Sequence, residues 1–371
     1  MVRYVELHAG HARSLAVLDN GSAWAWGNVG RIGLPVEADN PLAAICGSGP
    51  QEVGHHRFAQ PVAQRLNTGD TGVALSCLID AAHELMAIGP GGSVTRIEPL
   101  ASITDGAPIH LVEGLQGRFT QVCANESASY ALDEHGRVWS WGHHHQGQLG
   151  RMCDGSLDQP PGVVQGLPAI AELAAGQNHV LARTRSGQVW AWGANAAGQL
   201  GQGHLESSSR PVRVSSLNVR VRAIAAGETH SLAIDDRGRL HAWGSNHCGQ
   251  LGPLKATDAP AWTGRPLRVE LPFSVAQVGA GRHYTVALVG GGEIYTWGWN
   301  GLGQLGTESA ATGPGPHRIK ALKGIERISV GPTHVLALND RGLHAWGDNR
   351  HSACGLLPRQ ATVSQPHLIR T

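Results

Sequence analysis

Phenylalanine is scarce in this chain, with three residues in 371, and tyrosine contributes only four, whereas tryptophan reaches eleven and glycine fifty-one. An ordinary domain shares its aromatic burial among all three types. The imbalance argues against a conventional mixed core and points to Trp and Gly recurring at set positions. A charge excess is also missing, since 29 basic residues meet 28 acidic ones. A nucleic-acid binder needs a basic stripe to neutralise phosphates, so nucleic acid is not an expected partner. No apolar run reaches the roughly 18–20 residues of a membrane span, and the start, Met1 to His8, has no stretch of signal-peptide type. The expectation is a cytoplasmic, monomeric protein without a membrane anchor. Cys46, Cys77, Cys123, Cys153, Cys248 and Cys354 form no C-x-x-C pair, which suits free thiols in a reducing compartment. The chain also lacks a G-x-S-x-G elbow, an H-E-x-x-H helix, a phosphate-binding P-loop and a dinucleotide fingerprint. No cofactor is expected, and no catalytic residue can be named.

What the chain does have is a period. Trp-Gly pairs stand at Trp26, Trp141, Trp192, Trp243, Trp297 and Trp346, and from Trp141 onward the steps are 51, 51, 54 and 49 residues. The long first gap holds a further unit without Trp-Gly, running from Val73 through Leu85-Met86-Ala87-Ile88 and Gly91 to Val94 as far as Pro108–Val112. In a representative unit, Ile170–Ala175 reads as a first strand and Val180–Thr184 as a second. Ser186-Gly187 reads as a hairpin turn and Gln188–Gly193 as a third strand. A loop with Asn195 and Gly198-Gln199-Leu200-Gly201 leads to Pro211–Val214, an edge strand in which proline costs no ladder donor. Four short antiparallel strands per unit make a propeller blade. The prediction is an all-β, seven-bladed propeller of four-stranded antiparallel blades. Its repeats are placed at about 3–65, 66–115, 116–167, 168–217, 218–271, 272–322 and 323–371, with an insertion at 34–60 in the first.

The pattern G-x-x-H-x-L-A, then G-x-[VL]-x-x-W-G-x-N-x-x-G-Q-L-G, then P-x-x-V, resembles the regulator-of-chromosome-condensation (RCC1) repeat family. It is clearest over Gly176–Gly201, Gly227–Gly252, Gly281–Gly306 and Gly331–Gly355. The resemblance implies an RCC1-like propeller acting as a protein-interaction module. Members of the family include a guanine-nucleotide exchange factor for a small GTPase and a nucleosome binder. Exchange in the family depends on acidic residues in the G-x-x-H turns, where this chain offers Glu84, Glu126 and Glu228. The basic chromatin-binding tail has no counterpart.

Because strands alternate in direction, the G-x-x-H turns and the long loops after Trp-Gly share one face, which collects fourteen of the twenty-one histidines. Loops on a rigid scaffold are where binding residues concentrate. The turns are expected to ring the mouth of a central channel, and the candidate binding residues there are Arg13, Glu84, Glu126, Asn178, His179, Glu228, His230, Arg282, His283, Tyr284 and His334. For His179, His230 and His334 the alternative is structural, a ring nitrogen fixing a turn. Arg13, Glu84, Ala128 and Tyr284 stand where the other units carry that histidine. The triplet His143-His144-His145 reads as a solvated loop, with no metal site. The function expected is a non-catalytic scaffold binding a protein partner through this face. The alternatives are an enzyme or small-ligand binder at the channel mouth, and nucleotide exchange on a small GTPase.

Overall fold

The computed structural model describes residues 4–10, 13–19, 23–27, 47–52, 58–66, 75–80, 85–88, 94–96, 118–125, 127–156, 158–254, 260–307, 312–357 and 360–369. Its strands form four-stranded sheets, each a meander of consecutive antiparallel strands. The chain is an all-β propeller of such blades, numbered here as units 1 to 7 along the sequence. Unit 4 is typical, with strands Ile170–Ala175, His179–Thr184, Val189–Gly193 and Ser208–Arg213 in spatial as well as sequence order. The first strands of successive units neighbour one another around a hub, and Tyr4–Ala9 lies beside Arg327–Val330.

The expectation of seven blades needs correction. Six blades, not seven, are built on the repeat: unit 1 (4–52) and units 3 to 7 (119–163, 170–213, 221–268, 275–318, 327–368), each with Trp-Gly at the end of its third strand. The sheet at 58–96 departs from them. Its strands shorten outward from nine residues (Phe58–Leu66) to three (Val94–Arg96), and the first pairing breaks register twice. Without Trp-Gly it lacks the anchor that fixes a third strand. Strand allocation around it also differs from expectation. The outer strand of unit 1 is Gly47–Glu52, inside the 34–60 segment, so Pro50 takes the edge position expected of Pro61. Pro61 lies instead in the first strand of the next sheet. Pro108–Val112 lies outside the described residues.

Two features of the repeat explain the packing. Trp26, Trp192, Trp243, Trp297 and Trp346 are completely buried, and each indole sits at a junction, its N–H reaching the preceding unit. Trp192 donates to the carbonyl of Gln148, Trp243 to Gln199, Trp297 to Gln250 and Trp346 to Gln304, at 2.8–3.0 Å. Trp26 closes the round by donating to Ala353 at 3.0 Å. A large apolar body with one donor suits a buried interface that must also satisfy a main-chain carbonyl. The glycine after each tryptophan is obligatory: Gly193 has φ +102°, and a β-carbon there would lie 2.3 Å from the carbonyl oxygen of Asn178.

The long loops are organised by asparagine. Asn195, Asn246, Asn300 and Asn349 are buried, and each side-chain oxygen accepts the main-chain N–H five residues on, from Leu200, Leu251, Leu305 and Cys354. The amide of Asn195 donates to the carbonyls of His204 and Glu206, and that of Asn349 likewise holds Leu356, Leu357 and Gln360. One buried amide thus satisfies several loop groups that no strand can pair.

Candidate functional site

In units 4 to 7 the residue after the G-x-x-H glycine reaches the hub. A cavity of about 170 Å³ opens there, lined by strand ends Ala9, Ala124, Ala175, Ala226, Ala280 and Val330 and by turn residues Asn125, Gln177, Glu228, Arg282 and Pro332. The turns are bonded around the mouth through the main chain. The N–H of Gln177 donates to the carbonyl of Glu228 (3.3 Å), that of Glu228 to Gly281 (3.4 Å), and that of Arg282 to Pro332 (2.9 Å). The rim is therefore a fixed frame with small side chains beneath it.

Charge collects at one sector of that rim. Arg282 Nε lies 2.6 Å from Glu228 Oε2, and His283 Nε2 lies 3.9 Å from the same oxygen. The His283 ring meets the edge of Trp299, with centroids 6.4 Å apart and planes at 72°. Arg282, His283 and Trp299 are only partly buried, so a carboxylate, a guanidinium, an imidazole and an indole are presented together across units 5 and 6. Asn178 occupies the equivalent turn of unit 4 and is partly buried, its carbonyl accepting the N–H of Ala194 at 2.8 Å.

The other predicted site residues are placed differently. His179, His230, His334 and Tyr284 are wholly buried between blades rather than facing the mouth. His179 Nε2 is 2.9 Å from Ser231 Oγ, His230 Nε2 3.2 Å from Thr285 Oγ1, and His334 Nε2 2.9 Å from Ser14 Oγ. Each hydroxyl itself donates to a carbonyl, of Gln199, Gln250 and Ala353 respectively. The hydroxyl proton being committed, the imidazole must supply its own, so Nε2 is the protonated nitrogen. The Nδ1 atoms of His179 and His230 are buried without a partner. Burial pushes both imidazoles down to about 3 from an ordinary 6.5, with smaller contributions at His230 from His179 and His283. The Tyr284 hydroxyl donates to the carbonyls of Gly331 (2.8 Å) and His334 (3.1 Å), and burial lifts its pKa well above the usual phenol range. None of these four side chains meets solvent.

The histidine position obeys a rule that sequence reasoning missed. At junctions between blades built on the repeat, where the residue after the motif position of the next blade is a hydroxyl (Ser231, Thr285, Ser14), the preceding blade carries histidine; Ser129 of unit 3 is the exception in sequence, because the divergent unit 2 before it carries Glu84. Where that residue is valine (Val180, Val335), the preceding blade carries Ala128 or Tyr284. The off-pattern residues Ala128 and Tyr284 thus answer the neighbouring blade rather than a ligand. Comparing each motif position with the position about fifty residues later would have revealed it. Arg13 belongs to the strand Arg13–Leu18, but its side chain, together with Glu84 and Glu126, lies outside the described residues.

His143 and His145 approach at 5.6 Å between ring centroids, and His144 occupies the place of the loop asparagine. Among the described residues no group of three His, Cys, Asp or Glu could hold a metal ion. Cys123, Cys153, Cys248 and Cys354 are free, and burial raises the Cys123 thiol to about 12. Among the described residues no helix is long and apolar enough to cross a membrane.

A family model described as the RCC1-like domain matches residues 5–371. The chain belongs to the RCC1-like family. Among curated relatives of this family, the ultraviolet-B receptor UVR8 of Arabidopsis thaliana is 34% identical over 227 residues, covering 59% of this chain and 50% of the receptor. The probable E3 ubiquitin-protein ligase HERC6 of Homo sapiens is 33% identical over 248 residues, 64% of this chain and 24% of the ligase. The matches thus span half or less of these relatives' own length. Among solved structures, human WBSCR16 superimposes with a TM-score of 0.76 at 20% identity, covering 94% of this chain and 93% of that one. Prp20p of Saccharomyces cerevisiae, described with its binding properties to Gsp1p and histones, gives 0.71 at 23% identity, covering 91% and 83%. At these identities the structures speak for the RCC1-like fold alone.

Proposed function

We propose that this RCC1-like propeller is a non-catalytic scaffold that binds a protein partner at the channel mouth, with the sheet at 58–96 serving as a degenerate seventh blade. The observation that carries the reading is the partly exposed cluster of Glu228, Arg282, His283 and Trp299 on a rim held by main-chain hydrogen bonds. Arginine and tryptophan on a rigid frame are the residue types that dominate protein interfaces. The propeller relatives point the same way: Prp20p is described with Gsp1p and histones, and the yeast RCC1 as bound to Kap60. Solvent-accessible acid–base chemistry has less support, because His179 and His230 are buried and neutral. For nucleotide exchange, the described candidate carboxylate, Glu228, is already engaged by Arg282. A cytoplasmic setting belongs to the same proposal and suits the free cysteines.

The test is site-directed photocrosslinking from position 283 in the native host, followed by partner identification. With the recovered partner, Arg282→Glu combined with Trp299→Ala should weaken binding at least tenfold while circular dichroism stays unchanged. Equal binding by that variant, or turnover of any metabolite by the pure protein, would overturn the reading.

A further inference from the structure

Away from the hub, the outer strands of units 4 and 5 repeat one tetrad: Arg210-Pro211-Val212-Arg213 in Ser208–Arg213, and Arg265-Pro266-Leu267-Arg268 in Trp262–Arg268. All four arginines are exposed, and among the described residues none of them is in an ion pair. In a chain of net charge +1, this is a local segregation of positive charge.

Large apolar side chains stand beside it. Met152 is 75% exposed, Leu205 43% and Trp262 41%. Met152 and Leu205 lie between the third and fourth strands of units 3 and 4, and Trp262 opens the fourth strand of unit 5. Contacts make the strip continuous. Arg210 Nη2 lies 3.5 Å from Met152 Sδ, linking units 3 and 4. The N–H of Gly203 donates to the carbonyl of Gly264 at 2.7 Å, so the loop carrying Leu205 lies on the outer strand of unit 5. A methyl group on Gly264 would stand 3.3 Å from the Trp262 ring, and one on Gly203 2.9 Å from the Arg265 side chain. Apolar and guanidinium groups therefore alternate along one rim.

We propose that this rim docks an acidic polypeptide segment in which carboxylates are interleaved with large apolar side chains. Charge complementarity selects the acidic partner, since the guanidiniums of Arg210 and Arg265, neither in an ion pair among the described residues, present forks that match carboxylates. The exposed Met, Leu and Trp select apolar anchors. A single-stranded nucleic acid would want a series of rings on which bases stack, and this strip offers one. Strand addition is disfavoured because Pro211 and Pro266 lack the N–H that a new strand would need. Glu206, exposed beside Leu205, and Asp154, exposed two residues from Met152, are repelling charges along the rim. The inference is independent of the channel-mouth reading, whose residues it does not use.

The experiment is fluorescence anisotropy of a labelled peptide repeating Asp-Glu-Leu-Phe, titrated with the full chain at low salt. Binding should weaken at least tenfold in Arg210→Glu combined with Arg265→Glu, severalfold in Met152→Ser combined with Trp262→Ser, and progressively with added salt. Glu206→Gln should tighten it. The exposed positions leave the fold intact, which circular dichroism verifies. Absence of binding at millimolar protein, equal or tighter binding of a poly-glutamate peptide or a DNA oligonucleotide of the same charge, or indifference to the arginine reversals would each overturn the proposal.

Discussion

His179 and His230 each spend a ring nitrogen on a hydrogen bond across a blade junction, and that choice makes the junction sensitive to acid. His179 and His230 have imidazoles lowered to about 3 in the folded state, against 6.5 ordinarily. Between those values the unfolded chain binds more protons than the folded one. Stability is therefore complete above about pH 6.5 and declines as pH falls, by about 1.4 kcal/mol per pH unit for each histidine until the folded value is reached. Urea unfolding at pH 7 and near pH 4.5 should show this loss. The double variant His179→Gln and His230→Gln should be less stable at pH 7 yet have a shallower acid limb. The glycine before the motif belongs to the same device, because a β-carbon at Gly176 would lie 2.2 Å from the His179 ring. Sequence alone identified these histidines as recurrent, yet not which way they faced. A repeat pattern reports that a position is constrained, whereas the partner lies about fifty residues away and shows up only when the hydroxyl column is read beside it.

Strands and loops were the most legible level, because the physics that sets them is local. Trp-Gly, the hairpin glycines and the Asn-x-x-Gly-Gln-Leu-Gly loop each carry their geometry within about ten residues, and the third strand ends at Gly193 and Gly298, and one residue past Gly244, as the pattern implies. Allocation failed around residues 34–66, where the outer strand came from Gly47–Glu52. Outer strands carry few buried side chains, and a proline marks them only loosely, so the sequence points to Pro61 as the edge-strand proline, a place that Pro50 fills. Asn246 offers a test at this level. Asn246→Ala leaves the buried N–H of Leu251 without an acceptor and frees the loop from Pro260. The expected cost is about 1–3 kcal/mol, read as a lower urea midpoint, together with faster proteolytic cleavage in the Asn246–Pro260 loop. Unchanged cleavage would show that the loop is held by other contacts. The charged rim at Glu228 and Arg282 was legible as a set of turn residues, but its pairing was not, since it joins side chains of two different repeats.

For the whole molecule the decisive junction is the one between the first and last units. Each is drawn from its own stretch of chain, so no strand is exchanged between them. Closure rests on side chains: Ser14 with His334 and Ala353, Trp26 with Ala353, the N–H of Ala9 with Ser329, and the burial of Ala9, Ala16 and Trp26 in the core of unit 7. Removing a buried tryptophan typically costs about 3–5 kcal/mol. Trp26→Ala should lower the urea midpoint, and its hydrogen exchange should rise in units 1 and 7 first while units 4 and 5 keep their protection. A uniform rise would mean that the round opens everywhere at once.

The matching of histidine to hydroxyl, and of alanine or tyrosine to valine, has a consequence for how such a chain changes over time. If the blades were interchangeable, duplication, deletion or reshuffling of a repeat would cost little. Here a blade with histidine fits only a successor with a hydroxyl at the matching position, so placing unit 4, 5 or 7 before Val180 or Val335 would bury a histidine against valine. The order of the repeats is thereby partly recorded in single side chains, and a lineage that created a histidine–valine seam would have to mutate at least one side of it.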